Sequence, residues 1–140
     1  MTSVNLTSLM LEQTYINTLL NKKVDYCLSV HGLGFIDFII MHKLYDSPSG
    51  TLSRIILADS IGLTGSGVTR LLSPMIKNNI ILKIVNSKNA RQSLVSLTST
   101  GKELYKDALN SFEDSCNSIY SSLEESEVEQ LLGLLNKIKC

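Results

Sequence analysis

The stretch that decides the fold is Ile61-Gly-Leu-Thr-Gly-Ser-Gly-Val-Thr-Arg-Leu-Leu-Ser-Pro-Met75. Gly62 is a natural end for a preceding helix, and Thr64 is a good N-cap for a following one. The residues after Thr64 divide between two helix faces. The apolar face holds Val68, Leu71, Leu72, Met75 and Ile76, and the outward face holds Ser66, Thr69, Arg70 and Ser73. Two short helices across the turn Gly62-Leu-Thr64 are therefore predicted, which is the pattern of a helix-turn-helix.

Three residues of the second helix are unusual for a helix. Pro74 lacks the N–H that would bond to the Arg70 carbonyl, a loss that costs about 3 kcal/mol, yet the apolar face continues past it. We therefore predict a kinked helix over residues 65–78. Gly65 and Gly67 cost about 1 kcal/mol each inside a helix and less in its first turn, so we expect another molecule to approach the backbone there. Phosphate is the natural candidate because helix N-termini bind anions.

The neighbouring residues extend this pattern into a larger motif. Residues 52–61 are predicted to form a short helix whose inward face holds Ile55, Ile56, Leu57 and Ala58. Residues 82–85 and 92–97 are predicted to form strands on either side of a polar loop at 86–91. This order is that of a winged helix-turn-helix, so the predicted fold class is mainly α with a small β-hairpin wing.

The charge distribution indicates what this motif binds. The chain has 13 basic and 13 acidic residues and a net charge of zero. Between Ser60 and Lys102, however, it has no acidic residue. The basic residues of this segment are Arg70, Lys77, Lys83, Lys88, Arg91 and Lys102. A locally positive surface on a chain without net charge favours nucleic acid as the partner.

Long helices are predicted on both sides of the motif. Residues 8–30 have helical spacing of apolar side chains, end at Gly32 and Gly34, and precede a buried central helix at 35–45 and a turn at 46–50. After the wing, either Thr98 or Thr100 can cap a long helix, and with Thr100 a capping box with Glu103 is possible. A break is expected near residues 121–122. The apolar residues of the last helix are Val128, Leu131, Leu132, Leu135 and Ile138.

An apolar last helix on a chain of this size is better buried against a second copy than left exposed, which favours an isologous homodimer. The alternative is a helix buried in the core of its own chain. We predict one structural domain with three parts. Residues 1–33 form an N-terminal dimerisation helix, residues 34–98 the winged helix-turn-helix DNA-binding region, and residues 99–140 the C-terminal dimerisation helices.

Composition restricts the other possibilities. With 140 residues and 44% hydrophobic content, the chain can form one hydrophobic core without disulfide bonds or structural metal ions. No apolar run has the length of a membrane span and no signal peptide pattern is present, so we expect a cytoplasmic location. Cys27, Cys116 and Cys140 have the wrong number and spacing for a disulfide framework or a metal site. We predict that the chain uses no cofactor and is not an enzyme. The segment Gly62-Leu-Thr-Gly-Ser-Gly67 lacks the Gly-Lys-Ser/Thr ending of a phosphate loop.

Several motifs, in the same order along the chain, resemble the MarR (multiple-antibiotic-resistance regulator) family. They are residues 61–75, Asn86-Ser-Lys-Asn-Ala-Arg91, Ser93-Leu-Val-Ser-Leu-Thr98 and Gly101. The match extends from about His31 to Leu104, and the flanking helices agree with the family in length and pattern. The resemblance implies a dimeric winged-helix transcriptional regulator, mostly a repressor, that binds a pseudo-palindromic operator in double-stranded DNA.

The resemblance also implies roles for individual residues. Ser66, Thr69 and Arg70 match positions that meet the major groove, and Arg91 matches the wing arginine that enters the minor groove. Arg54 matches a position that often touches the DNA backbone. The complete set of candidate DNA contacts is Ser66, Thr69, Arg70, Ser73, Arg91, Lys88, Arg54 and Gly65.

Four further points concern the wing, a possible effector pocket, the alternative function and Cys27. Asn89 stands where the family usually has an aspartate, so the ion pair that often braces the wing is replaced by a neutral hydrogen bond at best. An effector pocket at the junction of the first, second and fifth helices would use Tyr26, His31, Asp37 and His42, although both histidines are more simply explained as packed core residues. The alternative function is a winged-helix module for protein interaction or small-ligand sensing with little DNA affinity. Cys27 has no clear electropositive neighbour, so we do not expect it to be a redox switch.

Overall fold

The structure is a computed structural model that describes residues 3–85, 88 and 93–139. The described part of the chain forms six α-helices and a small β-sheet. The elements in chain order are α1 (Ser3–Leu28), α2 (Phe35–Asp46), β1 (Thr51–Ser53), α3 (Arg54–Ile61), α4 (Gly65–Lys77), β2 (Ile81–Val85), β3 (Ser93–Leu97), α5 (Ser99–Ile119) and α6 (Glu125–Lys139). A single turn of 3-10 helix at Ser29–His31 follows α1.

The helices before the helix-turn-helix agree with the prediction apart from one boundary. α1 begins by Ser3 and not near residue 8, because no glycine or proline interrupts the polar residues that precede its apolar pattern. Gly32 ends the helical segment in the left-handed conformation, with φ 73°. α2 is the central helix, although Ile36 and Tyr45 keep 47% and 45% of their surface exposed. Its buried residues are Phe38, Ile40, Met41 and Leu44.

The second half of the helix-turn-helix forms as predicted. Gly62 ends α3 with φ 72°, and the Thr64 hydroxyl accepts a hydrogen bond from the Gly67 N–H at 3.1 Å. α4 continues through Pro74 to Lys77, and the C-cap is residue 78. Its apolar face is turned inward, since Val68, Leu72 and Met75 are buried.

The prediction of a helix starting at Leu52 is wrong. Thr51–Ser53 form the strand β1, in which Leu52 lies opposite Val95 of β3. The helix α3 begins only at Arg54, and Ser53 caps it by accepting a hydrogen bond from the Ile56 N–H at 3.2 Å. A strand of three residues shows no period of its own, and its partner lies more than 40 residues further along the chain.

The predicted inward face of α3 is also wrong in part. Leu57 and Ala58 are buried, whereas Ile55 and Ile56 are 75% and 55% exposed. Successive residues of an α-helix turn by about 100°, so four consecutive side chains span the whole circumference and cannot all face the core. The core side of α3 is therefore narrower than its sequence suggests.

The sheet is antiparallel with the order β1, β3, β2. β2 begins at Ile81, one residue before the predicted start, and β3 covers Ser93–Leu97. The central strand β3 buries Val95, which lies opposite Lys83 of β2. In the wing loop the structure describes Lys88, whereas Asn89, Arg91 and Gln92 lie outside the described residues.

Thr98 joins the sheet to α5. Its hydroxyl oxygen accepts from the Gly101 N–H at 2.8 Å, which makes Thr98 the N-cap. The Thr98 hydroxyl lies 2.7 Å from the Asn79 carbonyl oxygen, and the Thr98 N–H donates to the Ile80 carbonyl at 3.0 Å. Because α5 passes so close to this turn, a Cβ on Gly101 would overlap the Ile80 carbonyl oxygen.

The alternative cap at Thr100 is wrong, because Thr100 lies inside α5. Glu103 is therefore not part of a capping box, and it forms an exposed ion pair with Lys106 at 3.7 Å. The side chain of Glu127 has the role that was predicted for Glu103, since its Oε1 accepts from the Glu124 N–H at 2.9 Å at the start of α6.

The two terminal helices keep much apolar surface exposed. The expected break near residues 121–122 separates α5 from α6, and α6 has no buried residue. Among the described helices, no single one is long and apolar enough to cross a membrane. Two pairs of consecutive helices, α1 with α2 and α3 with α4, reach that length and composition only when taken together, and the chain bends by 74° and 107° between their members. The large exposed apolar residues of α1 and α6 are Leu6, Leu9, Met10, Leu11, Tyr15, Ile16, Leu19, Tyr26, Leu131, Leu132, Leu134, Leu135 and Ile138.

We predict that Gly101→Ala destabilises the fold by about 1–3 kcal/mol, because the added methyl group must displace the backbone at Ile80. The free energy of unfolding in urea measures the effect. Gly65→Ala is the matched control, since a Cβ at Gly65 meets no atom within 4 Å and its stability should change little. Equal stabilities of the two variants would contradict the role of Gly101.

Candidate nucleic-acid interface

The start of α4 leaves its backbone open at Gly65. Thr64 caps the helix, and its hydroxyl lies 3.2 Å from the Ser66 hydroxyl. Gly65 is exposed, and a Cβ there would meet no protein atom within 4 Å. The fold itself therefore does not require glycine at this position. An absent side chain at the positive end of a helix is what a phosphate group needs to reach backbone N–H groups.

The outward face of α4 carries the predicted polar side chains. Ser66, Thr69, Arg70 and Ser73 are all exposed, and no described carboxylate lies within ion-pairing distance of Arg70. The Ser73 hydroxyl donates to the Thr69 carbonyl at 3.0 Å, so its proton is satisfied within the helix. Arg70 is thus the cation on this face with the most freedom to contact an anion or a base edge.

Arg54, the first residue of α3, lies next to the outward face of α4. Its Nη1 donates to the Thr69 hydroxyl at 3.0 Å, and its Nε donates to the Ser93 hydroxyl at 3.3 Å. The structure therefore brings Arg54 and Thr69 together, as a shared site requires. Ser93 was not among the predicted site residues, because an isolated serine at the start of a strand gives no signal in the sequence.

The wing carries exposed positive charge of its own. Lys83 on β2 and Lys88 in the wing loop are exposed. The candidate Arg91, together with Asn89, belongs to the part of the loop that the structure does not describe. The DNA contacts assigned to Arg91 and Lys88 stay predictions.

The four residues of the predicted effector pocket have different surroundings. His31 Nε2 and the Ser111 hydroxyl are hydrogen-bonded at 2.8 Å, and His42 Nδ1 and the Tyr105 hydroxyl at 2.7 Å. Asp37 accepts from the Gly34 N–H at 2.9 Å and so caps α2. Both histidines thus form hydrogen bonds with α5, but their interpretation as core residues is wrong, because His42 is exposed and His31 is only partly buried.

Tyr26 and His42 line different cavities. Tyr26 is 83% exposed and borders a space of about 530 Å³ between α1 and α5. His42 borders one of about 250 Å³ between α2 and α3, together with Leu52 and Ile56. An effector site that uses all four residues at once stays a prediction, because these two cavities of the described chain do not share a lining residue.

The two described cysteines lie together at the contact of α1 and α5. The Cys27 thiol donates to the Ser111 carbonyl at 3.0 Å. Burial raises the pKa of the Cys116 thiol, and the nearby Cys27 and Glu113 raise it further. The raised pKa keeps the Cys116 thiol in its protonated and less nucleophilic form.

The fold and this surface define a winged helix-turn-helix protein, and comparisons with solved structures specify the type. A cysteine-to-serine mutant of MarR from E. coli in complex with operator DNA superposes with a TM-score of 0.88 over 96% of this chain and 95% of that one, at 18% identity. AbsC, a MarR family transcriptional regulator from Streptomyces coelicolor, gives a TM-score of 0.89 over 99% of this chain and 94% of its own, also at 18% identity. The S. aureus MepR–DNA complex gives 0.85 over 92% and 94%, at 22% identity. This chain therefore has the fold of the MarR regulators over nearly its whole length, which confirms the predicted resemblance.

Sequence comparison gives a relative of the same kind. The uncharacterized HTH-type transcriptional regulator YhbI of Bacillus subtilis is 25% identical over 120 residues, which are 84% of this chain and 77% of that protein. No protein-family model matches the chain. AbsC and YhbI are named as transcriptional regulators, and the MarR and MepR structures are complexes with DNA.

We predict that Cys116 reacts with iodoacetamide at neutral pH on the order of tenfold more slowly in the folded chain than in urea, because its raised pKa leaves less of the reactive thiolate. Peptide mapping of the alkylated protein distinguishes Cys116 from Cys27 and Cys140. Alkylation of Cys116 at the same rate in both states would contradict the raised pKa.

Proposed function

We propose that this chain is a sequence-specific, double-stranded-DNA-binding transcriptional regulator that acts as a homodimer. The observation that carries the proposal is the exposed polar face of α4, with Arg70 at its centre, in a segment without acidic residues on a winged helix-turn-helix. α4 would enter the major groove and the wing the minor groove of an adjacent turn. The complexes of MarR with operator DNA and of MepR with DNA support this geometry.

The proposed dimer rests on the exposed apolar surface of the terminal helices. α6 has no buried residue, and its apolar side chains Leu132, Leu134 and Ile138 are 56–58% exposed. Water-exposed apolar side chains in this number are typical of an interface. A second copy related by a two-fold axis would cover α1 and α6 and would place two α4 helices on the half-sites of a pseudo-palindrome. Within one domain, residues 1–33 and 99–140 would then dimerise and residues 34–98 would bind DNA.

We extend the proposal to the mode of action. A dimer held on a promoter blocks other proteins from it, so repression is the expected outcome. The expected location is the cytoplasm. A sensor module with little DNA affinity is less consistent with the retained basic surface, because such a module would have no use for an acid-free segment.

If Arg70 contacts a base edge, Arg70→Ala should weaken binding to a specific site by about 1–3 kcal/mol and binding to random DNA much less. The specific site is first obtained by selecting bound fragments from random DNA. Fluorescence anisotropy at fixed salt then measures both affinities. Lys88→Ala is the comparison variant and should weaken both complexes about equally, since a phosphate contact carries no sequence information. Equal losses on both DNAs for Arg70→Ala would argue against base recognition.

Removal of residues 127–140 should convert the dimer to a monomer or to insoluble chain, because it deletes most of the exposed apolar face of α6. DNA affinity should fall with it, since two half-sites bound by one dimer gain from effective concentration. Leu135→Glu tests the same face with a point change, and Gln130→Glu on the opposite side of α6 is its matched control. Sedimentation measures the state of each variant. A truncated chain that still sediments as a dimer would place the interface elsewhere.

A further inference from the structure

Arg54 connects three separate elements of the DNA-binding surface. It is the first residue of α3, and its guanidinium reaches both the middle of α4 and the start of β3. The donor–acceptor distances are 3.0 Å to the Thr69 hydroxyl and 3.3 Å to the Ser93 hydroxyl. Ser93 lies opposite Val85 at the wing end of the β2–β3 ladder. One side chain therefore spans the outward face of α4 and the root of the wing.

We infer that Arg54 is a positioning residue for DNA recognition, which fixes α4 relative to the wing and orients the Thr69 hydroxyl. The inference rests on the proposed function and assigns a role other than the backbone contact expected from the sequence. The spacing of helix and wing matters because the two enter neighbouring grooves of one duplex.

The contact also decides which way Thr69 acts. An arginine can only donate, so the Thr69 oxygen is the acceptor in this pair. The hydroxyl proton of Thr69 then remains for a different acceptor. On the outward face of a helix in the major groove, such a proton would suit a base acceptor such as guanine N7 or O6. Arg54 would thereby make Thr69 a donor to the DNA.

Arginine is the residue type that this geometry needs. Its planar guanidinium directs Nε–H and Nη–H donors at fixed angles, so it can hold two hydroxyls on different elements at once. A lysine ammonium carries the same charge on a flexible stem without that fixed angle. A phosphate contact, by contrast, needs the charge and tolerates either residue. Arg54→Lys therefore separates the two roles.

The first experiment measures affinity for a selected specific site and for random DNA at several salt concentrations. We expect Arg54→Ala and Arg54→Lys each to lose on the order of tenfold more affinity on the specific site than on random DNA, as loss of hydrogen bonds to a charged group predicts. Lys83→Ala serves as the charge-removal control on the same surface and should show equal losses on both DNAs. Full rescue by Arg54→Lys, with a salt slope that falls by about one only in Arg54→Ala, would show a phosphate contact and overturn the inference.

A double-mutant cycle tests whether Arg54 acts through Thr69. Thr69→Val removes the hydroxyl and keeps the size of the side chain. If the inference holds, adding Arg54→Ala to Thr69→Val costs clearly less specific affinity than Arg54→Ala costs alone. A loss in the double variant equal to the sum of the two single losses would show that Arg54 acts independently of Thr69 and would overturn the proposed orientation of the hydroxyl.

Hydrogen exchange in the free protein tests the bracing without DNA. Arg54→Ala should speed amide exchange at the wing end of the β2–β3 ladder, near Val85 and Ser93, and leave the opposite end near Ile81 and Leu97 unchanged. Unchanged exchange at both ends would overturn the bracing role. A wild-type chain that binds no DNA would refute the proposed function, while this measurement would still decide whether Arg54 holds the wing.

Discussion

The rest of the structure depends on the close contact between the start of α5 and the turn that follows α4. The Ile80 carbonyl accepts the Thr98 N–H at 3.0 Å, and the Thr98 hydroxyl bonds to the Asn79 carbonyl at 2.7 Å. Gly101 allows the first turn of α5 to lie directly against this carbonyl. Three parts of the fold meet at this point: α4, which ends just before the turn, the strands β2 and β3, and the long helix α5. Their relative orientation is fixed here by a backbone hydrogen bond together with the bonds of the Thr98 hydroxyl.

This junction connects α4 and the wing strands to the rest of the chain. α5 carries Tyr105 and Phe112, whose rings stack on Phe38 of the central helix at centroid distances of 5.4 and 4.6 Å. Burial, together with the charge of Asp46, raises the pKa of the Tyr105 hydroxyl, which therefore stays protonated as a partner of His42. Thr98 thus connects α5, which packs on α2, to the turn that follows α4.

Local chemistry was enough to predict the parts of this fold that are determined locally. The cap at Thr64, the stop at Gly62 and the apolar face of α4 depend on residues within a few positions of one another, and all three are present in the structure. β1 could not be predicted, because Leu52 becomes a strand residue only through pairing with Val95. The bridge from Arg54 to Thr69 and Ser93 was missed for the same reason, since its members lie 15 and 39 positions apart. Charge pattern located the surface, but only tertiary structure shows which of its side chains meet.

The helices α5 and α6 show most clearly that a sequence pattern alone does not predict which apolar faces are buried. Both have an apolar stripe at helical spacing, yet α5 buries Tyr105 and Ala108 whereas α6 buries nothing. α1 is divided in the same way, with Val24 and Leu28 buried near its end and Leu6 and Met10 more than half exposed near its start. The core of one chain thus covers α5 and the last turns of α1 and leaves the remaining apolar faces in water. Burying those faces against a second copy would stabilise the assembly by the hydrophobic effect, and the spacing of the two α4 helices would then be a property of the pair and not of the single chain.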